Sequence, residues 1–285
     1  MAINDFIPSV WSETLYRELG RRYVGAANSN REFEGEIRGC GDTVRICGID
    51  PVTIFTYTKN TDFQAGAETL SSNTRSLVID QLKGFNFQID DVDAAQQSPK
   101  LMQHAMSRAA EGLADAADRY IFGLYSSVHA DNTLTKSGMR TGDVVDVLLD
   151  LRERLYNNDV SDSEVVLEVT PAVATKLLKS KILNQSDNTE PLGAGYIGSF
   201  IGFNIYVSNN VAKAAVTESG TSVTYHKCFA RTRRAVAFAE QLTSVEAYRP
   251  EKRFADAVKG LHLYGAKLVY PKELVLLNVS LAADE

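Results

Sequence analysis

At 285 residues, 44% of them hydrophobic and 23% charged, the chain is long enough to bury roughly 75% of its unfolded surface and shows no disordered, collagenous or coiled-coil bias. Its formal net charge of -6 argues against a surface built to grip nucleic acid, which needs a clustered excess of Lys and Arg. Met1–Phe6 has no basic region ahead of an apolar core, and no run of about twenty apolar residues occurs anywhere, so the expectation is a cytoplasmic product without a membrane segment.

The first thirty residues read as an arm. Trp11, Leu15 and Leu19 recur at helical spacing after Pro8, and Gly20, Gly25 and Asn28–Asn30 punctuate the remainder of that stretch. Trp11, the single tryptophan, is expected to be an apolar anchor against this or a neighbouring chain. From Phe33 to Asp93 short alternating runs predict strands at Thr43–Cys47, Val52–Tyr57, Ser76–Asp80 and Phe85–Ile89. The polar stretch Thr58–Arg75 between the second and third reads as the tip of a long projecting hairpin.

Ser98 followed by Pro99 is a strong helix start, a capping hydroxyl ahead of proline at the first helical position. The helix is expected to reach about Tyr125, because Met102, Met106, Ala109, Leu113, Ala117, Tyr120 and Leu124 recur at three- and four-residue steps. Asp131–Thr141 reads as a loop, and Gly142–Asp143 opens a second helix carrying Val144, Val147, Leu148, Leu151 and Leu155. A strand at Val165–Val169 and a short helix at Pro171–Ser180 come next, then a mobile polar loop from Asn184 to Gly195. Beyond it, Phe203, Ile205 and Val207 alternate with Asn204, Tyr206 and Ser208 as a strand with one buried face.

Candidate chemistry is sparse. The run Gly193–Gly198 (GAGYIG) matches the dinucleotide-binding pattern letter for letter, and a nucleotide-dependent enzyme using that loop is the rival from another class. The pattern needs a strand before it and a helix after it, whereas Glu190–Leu192 is no strand and strand alternation comes after. In Gly198–Gly202 (GSFIG) the serine stands one place too early for a nucleophile elbow. His104, His129, His226 and His262 lack metal-site spacing and read as structural. Asp90, Asp91 and Asp93 are better placed to complement a helix N-terminus than to hold a cation. Cys40, Cys47 and Cys228 are too few for a disulfide framework or a four-ligand zinc site. The basic cluster Arg231, Arg233 and Arg234 reads as a solvated strand end. No catalytic, cofactor-binding or metal residue is therefore assigned, and the chain is not expected to be an enzyme.

Several passages, taken in order, resemble the tailed-bacteriophage major capsid protein family: Phe33–Ile37 (FEGEI), Gly41–Ile46 (GDTVRI), Tyr57–Asn60 (YTKN), Leu77–Gln81 (LVIDQ), Phe85–Asp93 (FNFQIDDVD), Gly198–Val211, Arg234–Glu240 (RAVAFAE), and Val245–Pro271. The resemblance implies an α+β chain with the Hong Kong 97-type capsid fold. It implies an N-terminal arm over 1–32 and an extended β-hairpin loop with flanking strands over 33–90. A peripheral domain with a long spine helix and long strands would take 91–135 and 235–271, and an axial domain 136–234 and 272–285. The implied function is a coat protein that self-assembles as hexamers and pentamers into an icosahedral head shell enclosing double-stranded DNA, without sequence-specific binding. The implied partners are further copies of itself, a separate scaffolding protein and a portal protein, with assembly in the host cytoplasm and residence in the virion. A bacterial encapsulin-type nanocompartment shell is the alternative on the same fold. Trp11, Lys59, Asn60, Asp62, Phe63 and Glu68 are the expected subunit contacts.

Overall fold

In the computed structural model, which describes residues 15, 17–20, 22–34, 41, 43–49, 54, 56, 59, 72–90, 101–160, 165–182, 195–218 and 221–284, the long apolar stripe forms helix α1 (Leu101–Gly123). Its 23 residues span about 35 Å and continue into a 3-10 turn at Leu124–Ser127. Met106, Ala110, Leu113, Ala117 and Ile121 are buried along one face, and the small alanines let both sheets of the molecule approach the helix closely. The Ser98–Pro99 start lies outside the described residues, as does most of the expected strand Val52–Tyr57.

The first sheet is antiparallel and consists of β3 (Gln81–Asp90), β10 (Val236–Tyr248) and β11 (Ala255–Leu268), with β11 in the middle. Alternation divides its residues between two faces. Phe238, Val258, Tyr264 and Ala266 join the core cluster that contains the α1 stripe. Ala237, Ala239 and Leu263 pack instead with Val44, Ile46, Leu77 and Ile79 of the hairpin formed by β1 (Thr43–Ile49) and β2 (Ser72–Val78). That packing brings backbone against backbone. A Cβ on Gly265 would lie 2.3 Å from the Val78 carbonyl oxygen, so no larger residue fits there.

A second sheet has seven strands among the described residues: β4 (Thr133–Met139), β5 (Val165–Val169), β6 (Tyr196–Phe200), β7 (Phe203–Val207), β8 (Lys213–Glu218), β9 (Thr221–Arg231) and β12 (Leu274–Leu281). Their spatial order is β4, β12, β9, β5, β7, β6, with β8 pairing beside β9. Helices α2 (Val144–Asn157) and α3 (Pro171–Lys179) bury Val147, Leu148, Val173 and Leu177 in the same core cluster as Leu167, Val169 and Leu277 of the sheet. The end of α1 reaches the sheet as well, where Phe122 meets Phe229 edge to face at 5.7 Å.

Three local expectations are corrected. The segment 131–141, read as a loop, contains β4, which pairs in parallel with β12; the run Thr133–Met139 (TLTKSGM) is too polar to signal the edge strand that it forms. The strand expected from Phe203 is present as β7 (Phe203–Val207), but it is the second arm of a hairpin whose first arm, β6, was not expected, turning at Ile201 (φ 48°) and Gly202 (φ 75°) with Phe200 opposite Phe203. Positive φ at both central residues is the pattern of a two-residue type I′ turn, which sequence reading does not expect of a β-branched isoleucine. Finally, Leu15, Leu19 and Tyr23, within the stretch read as an arm, are buried in this chain's own core.

Candidate assembly surface and the polar strap

Beyond the area covered by the β1–β2 hairpin, the outer face of the three-stranded sheet carries exposed side chains among the described residues. Leu82 (49% exposed) and Leu261 (41%) lie there with Tyr248, beside a groove of about 420 Å³ whose floor includes Gly84 and Gly260. Lys259 pairs with Glu246 at 2.8 Å across this face, and the Tyr248 hydroxyl donates to Asn86 Oδ1 at 3.1 Å. At the turn between β10 and β11, Phe254 is 84% exposed and comes after exposed Lys252 and Arg253, with Arg249 paired to Asp256 at 3.4 Å. Exposed apolar side chains grouped among charges mark surfaces that neighbours cover. Of the six expected contact residues, Lys59 is exposed. Trp11, Asn60, Asp62, Phe63 and Glu68 lie outside the described residues.

The densest polar chemistry is internal, and residues 23–31 organise it. Asp118, buried on α1, accepts the backbone N–H groups of Val24 (2.9 Å) and Ala26 (3.0 Å). Burial pushes its carboxyl up to about 6, against the pull of those N–H donors and with a further push from the charge of Glu168. Gly25 between them allows the approach: a Cβ there would lie 3.2 Å from the Phe122 ring and 3.3 Å from Asp118 Oδ1.

Arg231, at the end of β9, is fully buried. Its Nε donates to Glu168 Oε2 (2.9 Å), Nη1 to the Asn28 carbonyl (2.8 Å) and Ser29 Oγ (3.2 Å), and Nη2 to Glu168 Oε1 (2.8 Å) and the Gly25 carbonyl (2.9 Å). Burial raises the Glu168 carboxyl above its ordinary value, although the guanidinium draws it down. The reading of Arg231 as a solvated strand end is therefore wrong, while Arg233 and Arg234 are exposed, and Arg234 pairs with Glu273 at 2.8 Å. A signal was present: Glu168 interrupts the otherwise apolar run Val165–Val169, and a carboxylate in the middle of a buried strand requires a cation.

Past Arg231 the strap crosses to the other sheet. Asn30 N donates to the Val236 carbonyl and Phe238 N to the Asn30 carbonyl, both at 2.9 Å, a parallel bridge onto β10. Glu240 of β10 then accepts from the Tyr23 hydroxyl, from Arg31 Nη2 and, at 2.8 Å, from Nε2 of buried His262. Burial works against the Glu240 charge, but the His262 hydrogen bond and the Arg31 charge prevail and hold its carboxyl below the ordinary value. The Tyr23 hydroxyl is driven far above its ordinary range by burial and by Glu240.

The remaining sequence candidates find other uses. Gly195 (φ 80°) enters strand β6 rather than a helix, and its Cβ would strike the Val207 carbonyl at 2.4 Å; Gly193 lies outside the described residues. His226 shares a hydrogen bond with Thr170 at 2.9 Å. Asp90 ends β3, and Asp91 and Asp93 lie outside the described residues. Cys228 is a buried free thiol pushed up to about 12, chiefly by burial, while Cys40 and the side chain of Cys47 lie outside the described set. Among the described residues no group of three or more His, Cys, Asp or Glu side chains is placed to hold a metal, and no helix is long and apolar enough to cross a membrane.

Comparison with known proteins adds a family to this geometry. No curated protein matches the chain. Among solved structures it is similar to one from Mycobacterium phage Che8, with 29% identity over 90% of this chain and 91% of that chain and a TM-score of 0.67. The capsid of Ralstonia phage GP4 shares the fold at 13% identity, 93% and 90% coverage and a TM-score of 0.70. A virus-like particle from Pyrococcus furiosus shares it at 14% identity, 95% and 99% coverage and a TM-score of 0.55, a likeness of fold alone. The model of the phage capsid protein family matches residues 73–277, which take in α1, both sheets and the crossings between them. With that match added to the fold, the chain belongs to the phage capsid protein family and has the Hong Kong 97-type fold of tailed-bacteriophage major capsid proteins.

Proposed function

We propose that this capsid protein assembles as hexamers and pentamers into an icosahedral head shell, built in the bacterial cytoplasm on a separate scaffolding protein and together with a portal protein. The family match over residues 73–277 carries the reading. The exposed apolar groups at Leu82, Leu261 and Phe254 support it, since they are surfaces that a neighbour would cover. In this reading α1 with strands β10 and β11 belongs to the peripheral domain (91–135 and 235–271), β3 is a flanking strand of the extended loop, and the seven-stranded sheet, apart from the first residues of β4, belongs with α2 and α3 to the axial domain (136–234 and 272–285). Residues 1–32 are the arm and 33–90 the extended loop. Trp11, Lys59, Asn60, Asp62, Phe63 and Glu68 serve as contacts between subunits. The chain performs no catalysis, and the packaged double-stranded DNA meets a protein of net charge -6 without sequence-specific contacts.

Electron microscopy of the protein expressed with its scaffolding partner tests this. Closed shells are expected, and a strictly monomeric species under all assembly conditions would refute it. A thermal-shift titration with dinucleotides addresses the rival enzyme reading, for which saturating ligand would raise the melting temperature; no shift is expected.

A further inference from the structure

Among the described residues the two sheets share few directional contacts. The backbone passes between them side by side at residues 232–235 and 270–273, where Val269 N and Tyr270 N donate to the Ala235 carbonyl at 2.8 and 3.1 Å and Thr232 N to the Glu273 carbonyl at 3.2 Å. Helix α1 touches both sheets mainly through alanine, leucine and phenylalanine side chains, and apolar contact is non-directional, so it resists separation more than rotation. Its polar ties are few: Asn210 donates to Asp115 Oδ1 at 2.8 Å and accepts from Arg119 at 3.1 Å, and the Tyr120 hydroxyl donates to Asp80 at 3.0 Å. Two adjacent crossings beside a helix held mainly by apolar contact form a hinge unless something spans it.

Residues 23–31 span it. On one side Arg231 and Glu168 of the seven-stranded sheet hold Gly25, Asn28 and Ser29. On the other, Glu240 of the three-stranded sheet holds Tyr23 and Arg31, and β10 pairs with Asn30. Between them Asp118 of α1 holds Val24 and Ala26. Hydrogen bonds are directional, and charge-assisted ones are strong, so each grip fixes position as well as separation. Nine residues thereby tie three elements that nothing else cross-links through polar bonds of comparable density among the described residues.

We propose that residues 23–31 are a strap that sets the angle between the two sheets, and with it the curvature that each subunit brings to its assembly. The curvature part rests on the shell-forming reading above; the strap itself does not. Because residues 23–31 lie within the arm (1–32), force applied by a neighbour to the preceding part of the arm would reach the hinge through these same bonds.

Asp118→Asn and Glu240→Gln test the strap on the full chain, since each replaces a charged acceptor by an amide of nearly equal volume. An asparagine at 118 presents one oxygen where two N–H groups converge, and a glutamine at 240 removes the charge facing Arg31. Hydrogen exchange on the unassembled chain should show the amides of Val24 and Ala26 in the first variant, and of Asn30 and Phe238 in the second, exchanging about tenfold faster or more. The amides of Leu167 and Leu276, deep in the seven-stranded sheet, should keep their protection. Shells assembled from either variant should spread over several diameters where the wild type forms one. Strap amides that retain full protection in both variants would overturn the proposal, and so would a loosened strap in shells of a single unchanged diameter. A wild-type chain that forms no shell would instead refute the shell-forming reading, leaving the exchange data to decide on the strap.

Discussion

Arg231→Met removes the guanidinium from a site where neither it nor Glu168 has any exposed side-chain surface. Methionine fills much of the volume of the arginine stem but makes none of the five hydrogen bonds of Arg231. Glu168 keeps only the amide of Asn28, at 3.4 Å, as a donor among those described, the Asn28 carbonyl loses the donor from Arg231, and the Gly25 carbonyl is left with the Ser29 hydroxyl at 2.8 Å. Breaking a buried ion pair from one side costs about 3–5 kcal/mol. For a chain of this size that lowers the melting temperature by roughly 6 to 20 °C. Because burial already raises the Glu168 carboxyl and Arg231 is the partner lowering it, the variant should raise that carboxyl further. Its contribution is then fully present below the unfolded pKa and lost as pH rises through the raised folded value, so the deficit should shrink on acidification. The double variant Glu168→Met with Arg231→Met removes both members of the ion pair and should recover about 2 kcal/mol relative to the single variant, but not all of the loss, since the Asn28 carbonyl still lacks the donor that Arg231 supplied. Urea denaturation of the unassembled chain, followed by circular dichroism, measures all of these. A single variant within about 1 kcal/mol of wild type, or a double variant less stable than the single one, would refute the reasoning.

Gly265→Ala places a methyl group 2.3 Å from the Val78 carbonyl and should cost about 1–3 kcal/mol in urea denaturation; an unchanged midpoint would show that the hairpin can back away from the sheet. Asp118, raised from 3.8 to about 6, contributes stability that is fully present below pH 3.8 and lost as pH rises through 6. The stability difference between wild type and Asp118→Asn should therefore grow by about 2.5 kcal/mol between pH 7 and pH 4, and a flat or opposite trend would contradict the burial of that charge. Phe254→Ser, at a site 84% exposed, should change stability by less than about 0.5 kcal/mol while lowering the yield of shells; an undiminished yield would remove the β10–β11 turn from the assembly surface.

Where burial repeats with a helical period or fills a whole short strand, the sequence was sufficient. The α1 stripe, the Val165–Val169 strand, and the helix after Pro171 each show their apolar pattern directly, and the ordered passages from Phe33 to Pro271 carried the family resemblance that the comparisons bear out. The failures have physical causes. Strand β4 owes its pairing to β12, almost 150 residues later, so its own polar sequence contains no trace of it. The Ile201–Gly202 turn is imposed by strand pairing on a residue whose intrinsic preference opposes it. Arg231 looked solvated because its cluster was read along the chain, whereas its partners lie 63 residues before it, at Glu168, and some 200 before it, at Gly25–Ser29. Most of the expected contact residues fall outside the described set, so only the exposed face around Leu82 and Leu261 and the turn at Phe254 give the candidate assembly surface a location.

The position of β12 has a temporal consequence. This strand, the last in chain order, does not lie at an edge but between β4 and β9, with Asn278 bonded to Thr135 across 143 residues of sequence. A ribosome that has delivered everything up to Tyr270 has made both flanking strands but not the one that joins them. Pairings of such long range form slowly, and the flanking edges stay open until they do. Subunits should thus become competent to associate only after synthesis has passed Leu281, so that unfinished chains are kept out of the growing wall by topology alone.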